Sequence, residues 1–241
     1  ILPLAIPPYI LAYTFTGLFD PFGDANNLVR GIFNLAPDVS VFPNVRNLYG
    51  AIVVFSFTLY PYVYLVSRSA FLNQSKSMKE SAKLLGLSEV GVFFKLGLPI
   101  IRPAAIGGLM LVIMETISDF GAVDHFAIQT FTTGIFRTWH GMYDLQTAMQ
   151  LASILLLIVG LFFILERNSR DRAAFTSNDS SFTSEKAVRL PKLKSSLLFF
   201  ICFIPLFVGF ILPITELALW AFESKSSFFN QKFLQTSFNS I

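Results

Sequence analysis

Charge is scarce in this sequence. Only 14% of its 241 residues are Asp, Glu, Lys or Arg, whereas 54% are hydrophobic and 28 are phenylalanine. A water-soluble globule of that length needs more charge to cover its surface, so soluble classes are excluded and a polytopic membrane protein is expected. Cysteine is almost lacking too. Cys202 stands alone inside the apolar run LLFFICFIPLF, which rules out a disulfide framework or a cysteine metal site and leaves it a packing or lipid-facing residue. No G-x-x-x-x-G-K-[ST] loop occurs, so the chain has no phosphate cradle of its own. Neither H-E-x-x-H nor a Cys/His cluster is present; His125 and His140 lie fifteen residues apart in a loop and read as solvated or packing side chains, with a metal pair as the alternative. The opening ILPLAIPPYILAYTF carries no start methionine and no basic n-region, so it is not a signal peptide, and the sequence is expected to be a fragment.

What is there is apolar and periodic. Five segments read as spans: 1–19, 48–66, 104–123, 147–165 and 196–222. The fourth, TAMQLASILLLIVGLFFIL, has no charge, and its 19 residues at about 1.5 Å each reach roughly the thickness of a hydrocarbon core. The others hold prolines, among them Pro3, Pro7, Pro8, Pro61, Pro205 and Pro213, which a membrane bundle accommodates through kinks and neighbouring hydroxyls. Connecting loops set the sides. Segments 67–103 and 166–195 hold 13 of the 18 Lys and Arg residues and are assigned to the cytoplasm, and the alternation stays consistent across all five spans. Segment 166–195 is also polar and rich in Ser, Asn and Asp without an apolar period, as suits a flexible cytoplasmic linker between two membrane units.

Between the second and third spans the chain reads KESAKLLGLSEVGVFFKLGLP. Ser77 and Glu80 fit an S-x-x-E capping box and predict a helix start. Gly86 should end that helix, Ser88 should cap a second one with Glu89 at its positive end, and Pro99 should bar further extension. Leu84, Leu85, Leu87, Val90, Phe93, Phe94 and Leu96 would then leave an apolar face in the cytosol, which a partner covers unless the chain's own membrane helices do.

Glu80-Ser81-Ala82, then Gly86, then Leu96-Gly97-Leu98-Pro99 resembles the E-A-A-x3-G-x9-I-x-L-P loop of the inner-membrane permeases of binding-protein-dependent ABC transporters. Ser81 and Leu96 depart from that pattern but keep its size classes and spacing. The resemblance implies an all-α polytopic transmembrane bundle of the type I, MetI-like class in a bacterial inner membrane, not itself an enzyme. It implies that the loop docks in a groove of a separate ATP-hydrolysing subunit, present in two copies, which binds the ATP and Mg; no cofactor is expected in this chain. A periplasmic or extracellular substrate-binding protein is the second implied partner, and no nucleic acid is. LPLAIPPYILAY, METISDFGAVDHFAIQTFTTGIFRTWHGMYD and the linker followed by a new membrane unit resemble the ferric-iron permeases, whose single chain carries two permease halves. On that resemblance 1–165 is the later part of a first half with coupling loop 67–103, 166–195 is the linker, 196–241 is the truncated start of a second half, and the substrate is ferric iron. Thiamine, phosphonate or another small solute is the alternative within the class.

Two further groups stand out. Glu115 and Asp119, at i and i+4, would share one helical face within an apolar span and could line the path of a hard cation that prefers oxygen ligands. Alternatively, Glu115 is paired within the bundle and Asp119 caps a break at Gly121. A membrane enzyme or scaffold using the two carboxylates is the reading from a different class, and no nucleophile, metal cluster or cofactor motif supports it. In the outer loop, 124–146, Arg137, Trp139 and Tyr143 are residue types that anchor an interface with a binding protein, or else an aromatic belt at the headgroups.

Overall fold

The computed structural model describes residues 1–36, 38–174 and 191–223, together with positions 235, 238 and 239. The middle of the expected linker, 175–190, and the chain beyond 223 apart from those three positions lie outside the described residues. Every regular element among the described residues is helical. Among the described residues four helices are long and apolar enough to cross a membrane: Leu48–Leu72, Glu89–Ser118, Leu145–Asn168 and Lys192–Glu223.

The first expected span is not among them. A short 3₁₀ turn, Leu2–Ala5, is separated from α1 (Pro8–Phe19) by the extended residue Ile6. Pro7 and Pro8 cause the break, because Pro8 suits the first position of a helix but neither proline can continue the turn before it. The 12 residues of α1 reach about 18 Å, short of the roughly 30 Å core. The buried threonines Thr14 and Thr16 of α1 return their hydroxyls to the carbonyls of Ile10 and Ala12, at 3.1 and 3.0 Å, and so need no water. Beyond α1 the chain forms α2 (Asp24–Phe33) and then α3 (Leu48–Leu72), whose start is capped by the Asn47 side chain on the Tyr49 and Gly50 amides.

The central core joins α1, α3 and the short α7 (Gly121–His125): Leu11, Ala12, Val54, Leu59, Ala122, Val123 and Phe126 are all buried in one cluster. α3 packs along α6 (Leu98–Ser118) at Gly108, where a Cβ would lie 2.8 Å from the Val63 Cα. Without a side chain there the two backbones approach closely, the usual device of membrane helix pairs. α9 (Leu145–Ala174) lies against the other side of α6, and most of its surface faces outward. It continues to Ala174, and Glu166, placed by sequence in the linker, is buried where α9 passes Gly107 of α6.

The last rod consists of α10 (Lys192–Leu206), a π-helical turn (Phe207–Ile211) and α11 (Leu212–Glu223). It seats on the proline kink of α3. Pro61 has no N–H to give the Phe57 carbonyl, and Gly209 packs against that carbonyl so closely that a Cβ would stand 2.6 Å from it. Trp220 then covers Gly17 and meets Tyr13 edge-on at 5.3 Å.

Pro99 does not stop its helix. α5 (Glu89–Val92), a π-turn (Phe93–Gly97) and α6 form one continuous 30-residue rod. The Leu98 amide bonds the Phe93 carbonyl five residues back, and this wider turn makes room for the proline that follows. The same device recurs in Phe207–Ile211, again two residues ahead of a proline, and the two stretches read FFKLGLPI and FVGFILPI. The third span also ends earlier than the sequence suggested, at Ser118 rather than near 123.

Candidate functional site

The hairpin of α4 (Lys76–Leu84) and α5 is built by local chemistry. Its first helix is capped not by Ser77 but by Ser75, whose hydroxyl accepts the Met78 amide at 3.3 Å. The expected Ser77–Glu80 box therefore does not start the helix: beginning it two residues earlier puts Ser77 within the first turn, its hydroxyl 3.4 Å from that of Ser75. At the other end Gly86 adopts φ +86°, with its amide on the Lys83 carbonyl at 2.9 Å and the Leu87 amide on the Ala82 carbonyl at 3.2 Å. Those two bonds are a Schellman closure, which requires a left-handed residue and therefore favours glycine. Ser88 caps α5 through the Gly91 amide at 3.1 Å. Lys83 and Glu89 clamp the two helices with a 2.9 Å ion pair that crosses the turn.

The base of the hairpin is anchored to the bundle. Gln74, just beyond α3, donates to the Gly97 carbonyl at 3.2 Å, and Phe71 stacks on Phe93 with ring centroids 5.8 Å apart. The motif residues divide accordingly. Ala82 and Gly97 are buried, Leu96 and Leu98 are half-buried, and Glu80, Ser81, Gly86 and Pro99 are exposed. Leu84 and Leu85 are 89% and 84% exposed, and Val90 and Phe94 also project away from the chain. Among the described residues, nothing in the bundle covers this apolar face.

The two acidic residues of the third span separate. α6 ends at Ser118, so Asp119 has extended backbone and does not continue the face that carries Glu115. Its Oδ1 accepts the Ala122 and Val123 amides at 2.9 and 3.3 Å, closing the break before α7. Burial pushes the Asp119 carboxyl above the ordinary range, opposed by those two amides. Glu115 is exposed on α6. In the outer loop, α8 (Phe131–Phe136) and the π-turn Arg137–Gly141 leave Arg137, Trp139 and Tyr143 exposed. Trp139 stacks near His140 at 4.3 Å, and Tyr143 has φ +57°. His125 is engaged elsewhere: its Nε2 lies 2.6 Å from the Thr16 hydroxyl, joining α7 to α1.

Sequence reasoning missed Gln74, the Lys83–Glu89 clamp and Glu216. Glu216, on α11, is 5% exposed, lies beside the Asp24 carboxyl and keeps its Oε1 buried with no hydrogen-bond partner among the described residues. Its one legible signal was an acid inside an apolar run, the same signal that singled out Glu115.

Three curated relatives are similar to this chain. The Fe(3+)-transport system permease protein FbpB 2 of Haemophilus influenzae is 25% identical over 198 residues, covering 82% of this chain and 33% of that protein. The putative molybdenum transport system permease protein YvgM of Bacillus subtilis is 22% identical over 70% of this chain and 74% of its own length. The molybdenum transport system permease protein ModB of Haemophilus influenzae is 26% identical over half of each chain. The chain thus spans about a third of the length of the iron relative. All three are transport permeases rather than enzymes, and none supports the membrane-enzyme reading of Glu115 and Asp119. With four apolar helices among the described residues and a family match running from residue 1 to 166, through the hairpin and into α9, the chain belongs to the family of binding-protein-dependent transport system inner membrane components, as a multi-pass inner-membrane protein.

Proposed function

We propose that this chain forms part of the membrane pathway of an ATP-driven importer, that its α4–α5 hairpin docks on a separate ATPase subunit, and that its substrate is ferric iron. The observation that carries the docking is the hairpin itself: a turn anchored at its base that, among the described residues, leaves Leu84, Leu85, Val90 and Phe94 exposed. Apolar patches presented in that way mark an interface. The ATP and Mg belong to the partner, and the substrate arrives from a binding protein that meets the side carrying Arg137, Trp139 and Tyr143. Residues 1–165 are the later part of one permease half and 196–241 the start of another, with 166–195 between them.

Iron is favoured by the span covered in the iron relative and by chemistry. Glu115 is an exposed carboxylate on a membrane-crossing helix, and carboxylate oxygens suit a hard cation. Molybdenum is the second reading, favoured by the names of two relatives. It would travel as an oxyanion, which an acidic side chain repels. Uptake of radiolabelled ferric iron and of labelled molybdate by the complete system separates the two; accumulation of molybdate alone removes iron. Docking is tested by co-purification with the ATPase, which Gly86→Asp should abolish while the permease still reaches the membrane.

A further inference from the structure

We propose that α2 lies in the membrane interface on the side opposite the hairpin, with Leu28, Ile32 and Phe33 immersed among lipid chains. The helix is inside out by the standards of a soluble protein. Its polar residues Asn26 and Arg30 are buried against the chain, at 0% and 8% exposure, while Leu28, Ile32 and Phe33 are 64%, 66% and 68% exposed. Asn26 donates to the Phe19 and Asp20 carbonyls at 3.1 and 2.9 Å and accepts the Val41 amide at 2.9 Å. Arg30 donates from Nε to the Val39 carbonyl at 2.8 Å. These bonds fix the roll of the helix, so the apolar arc cannot turn inward.

Position selects the occupant. Asn26 holds α2 to the end of α1, Asp20 at that end pairs with Arg46 at 2.8 Å, and α3 begins its crossing two residues later at Leu48. The helix is therefore level with the mouth of a membrane-crossing rod, where the apolar surface of the bundle meets headgroups. Leu28 and Ile32 are one turn apart, with Ala25, Val29 and Phe33 completing a broad arc, and Asp24, Asn27 and Gly31 make the remaining exposed edge. An amphipathic helix of that design lies in the plane of the interface. The polar edge offers no cation, since Arg30 is turned inward, so a lipid surface fits the arc better than an acidic protein partner does.

The test uses nitroxide labels on Ile32→Cys and, separately, Asn27→Cys, in the Cys202→Ser background of the complete permease assembly, reconstituted in phosphatidylethanolamine and phosphatidylglycerol vesicles. Power saturation should show the label at 32 relaxed more by oxygen than by a water-soluble nickel chelate, and the label at 27 the reverse. Equal access of nickel to both positions would place the arc in water and overturn the proposal. Shielding of position 32 from both reagents would overturn it as well, by showing a protein cover.

Discussion

Two side chains of the outer region illustrate how much a single residue decides. Asn26 uses its whole amide: both donors go to carbonyls, and its oxygen takes the Val41 and Phe42 amides at 2.9 and 3.3 Å. Asn26→Asp keeps the shape but sets an acceptor against two carbonyls, so it should lower stability by about 1–3 kcal/mol, read as a reduced Tm of the purified permease. His125 is the titrating case. Burial first, then the nearby Arg46, push its imidazole below its ordinary value. The Thr16 hydroxyl, which donates to a backbone carbonyl of its own helix, accepts from the ring N–H. A group with a depressed basic pKa binds fewer protons folded than unfolded, so stability is fully present above the unfolded value of about 6.5 and falls as pH drops below it. Melting curves across that range should show the fall, and His125→Gln should flatten it.

At the scale of the element, glycine contacts and turn closures discriminate between positions that look alike in sequence. Gly209→Ala drives a Cβ to 2.6 Å from the Phe57 carbonyl and 2.9 Å from Pro3, which should cost about 1–3 kcal/mol. Gly160, inside α9, has open space around it, so Gly160→Ala meets no clash and should hold or raise the melting temperature. The hairpin behaves oppositely to a core. Leu84→Ser with Leu85→Ser removes side chains that touch little of this chain, so thermal stability should stay within about 0.5 kcal/mol while ATPase-coupled uptake is lost. Loss of both would show that the leucines support the fold rather than a partner.

At the scale of the whole molecule the α10–α11 rod seats on α1 and α3, and Glu216 is the weak point of that seat. Among the described residues its buried Oε1 has no hydrogen-bond partner, and the carboxyl beside it is that of Asp24. Glu216→Gln replaces one of two crowded acids with a donor, so it should hold or raise stability by about 1 kcal/mol, whereas Glu216→Lys should loosen the rod through its added bulk. Limited proteolysis between the two units, compared across the variants, measures how firmly the rod stays seated.

The sequence alone determined the membrane class, because too few charges were available to cover a soluble surface, and it determined the hairpin turn, because Gly86 and Ser88 act through bonds to neighbours within a few residues. Those features depend on composition and on near neighbours, which a linear reading contains. Where helices end was decided by the fold. Pro7 and Pro8 break the first segment, yet Pro99 is carried through on a π-turn, and Asp119 leaves the helix to hold two amides at the start of α7. Both Ser75 and Ser77 satisfy the local rule for a cap, and the chain caps with Ser75, next to Gln74 and Phe71, which tie the end of α3 to the α5–α6 rod. Burial of Asn26, Glu166 and Glu216 was invisible for the same reason: each depends on a distant segment arriving to cover it, and packing, not propensity, decides which one does.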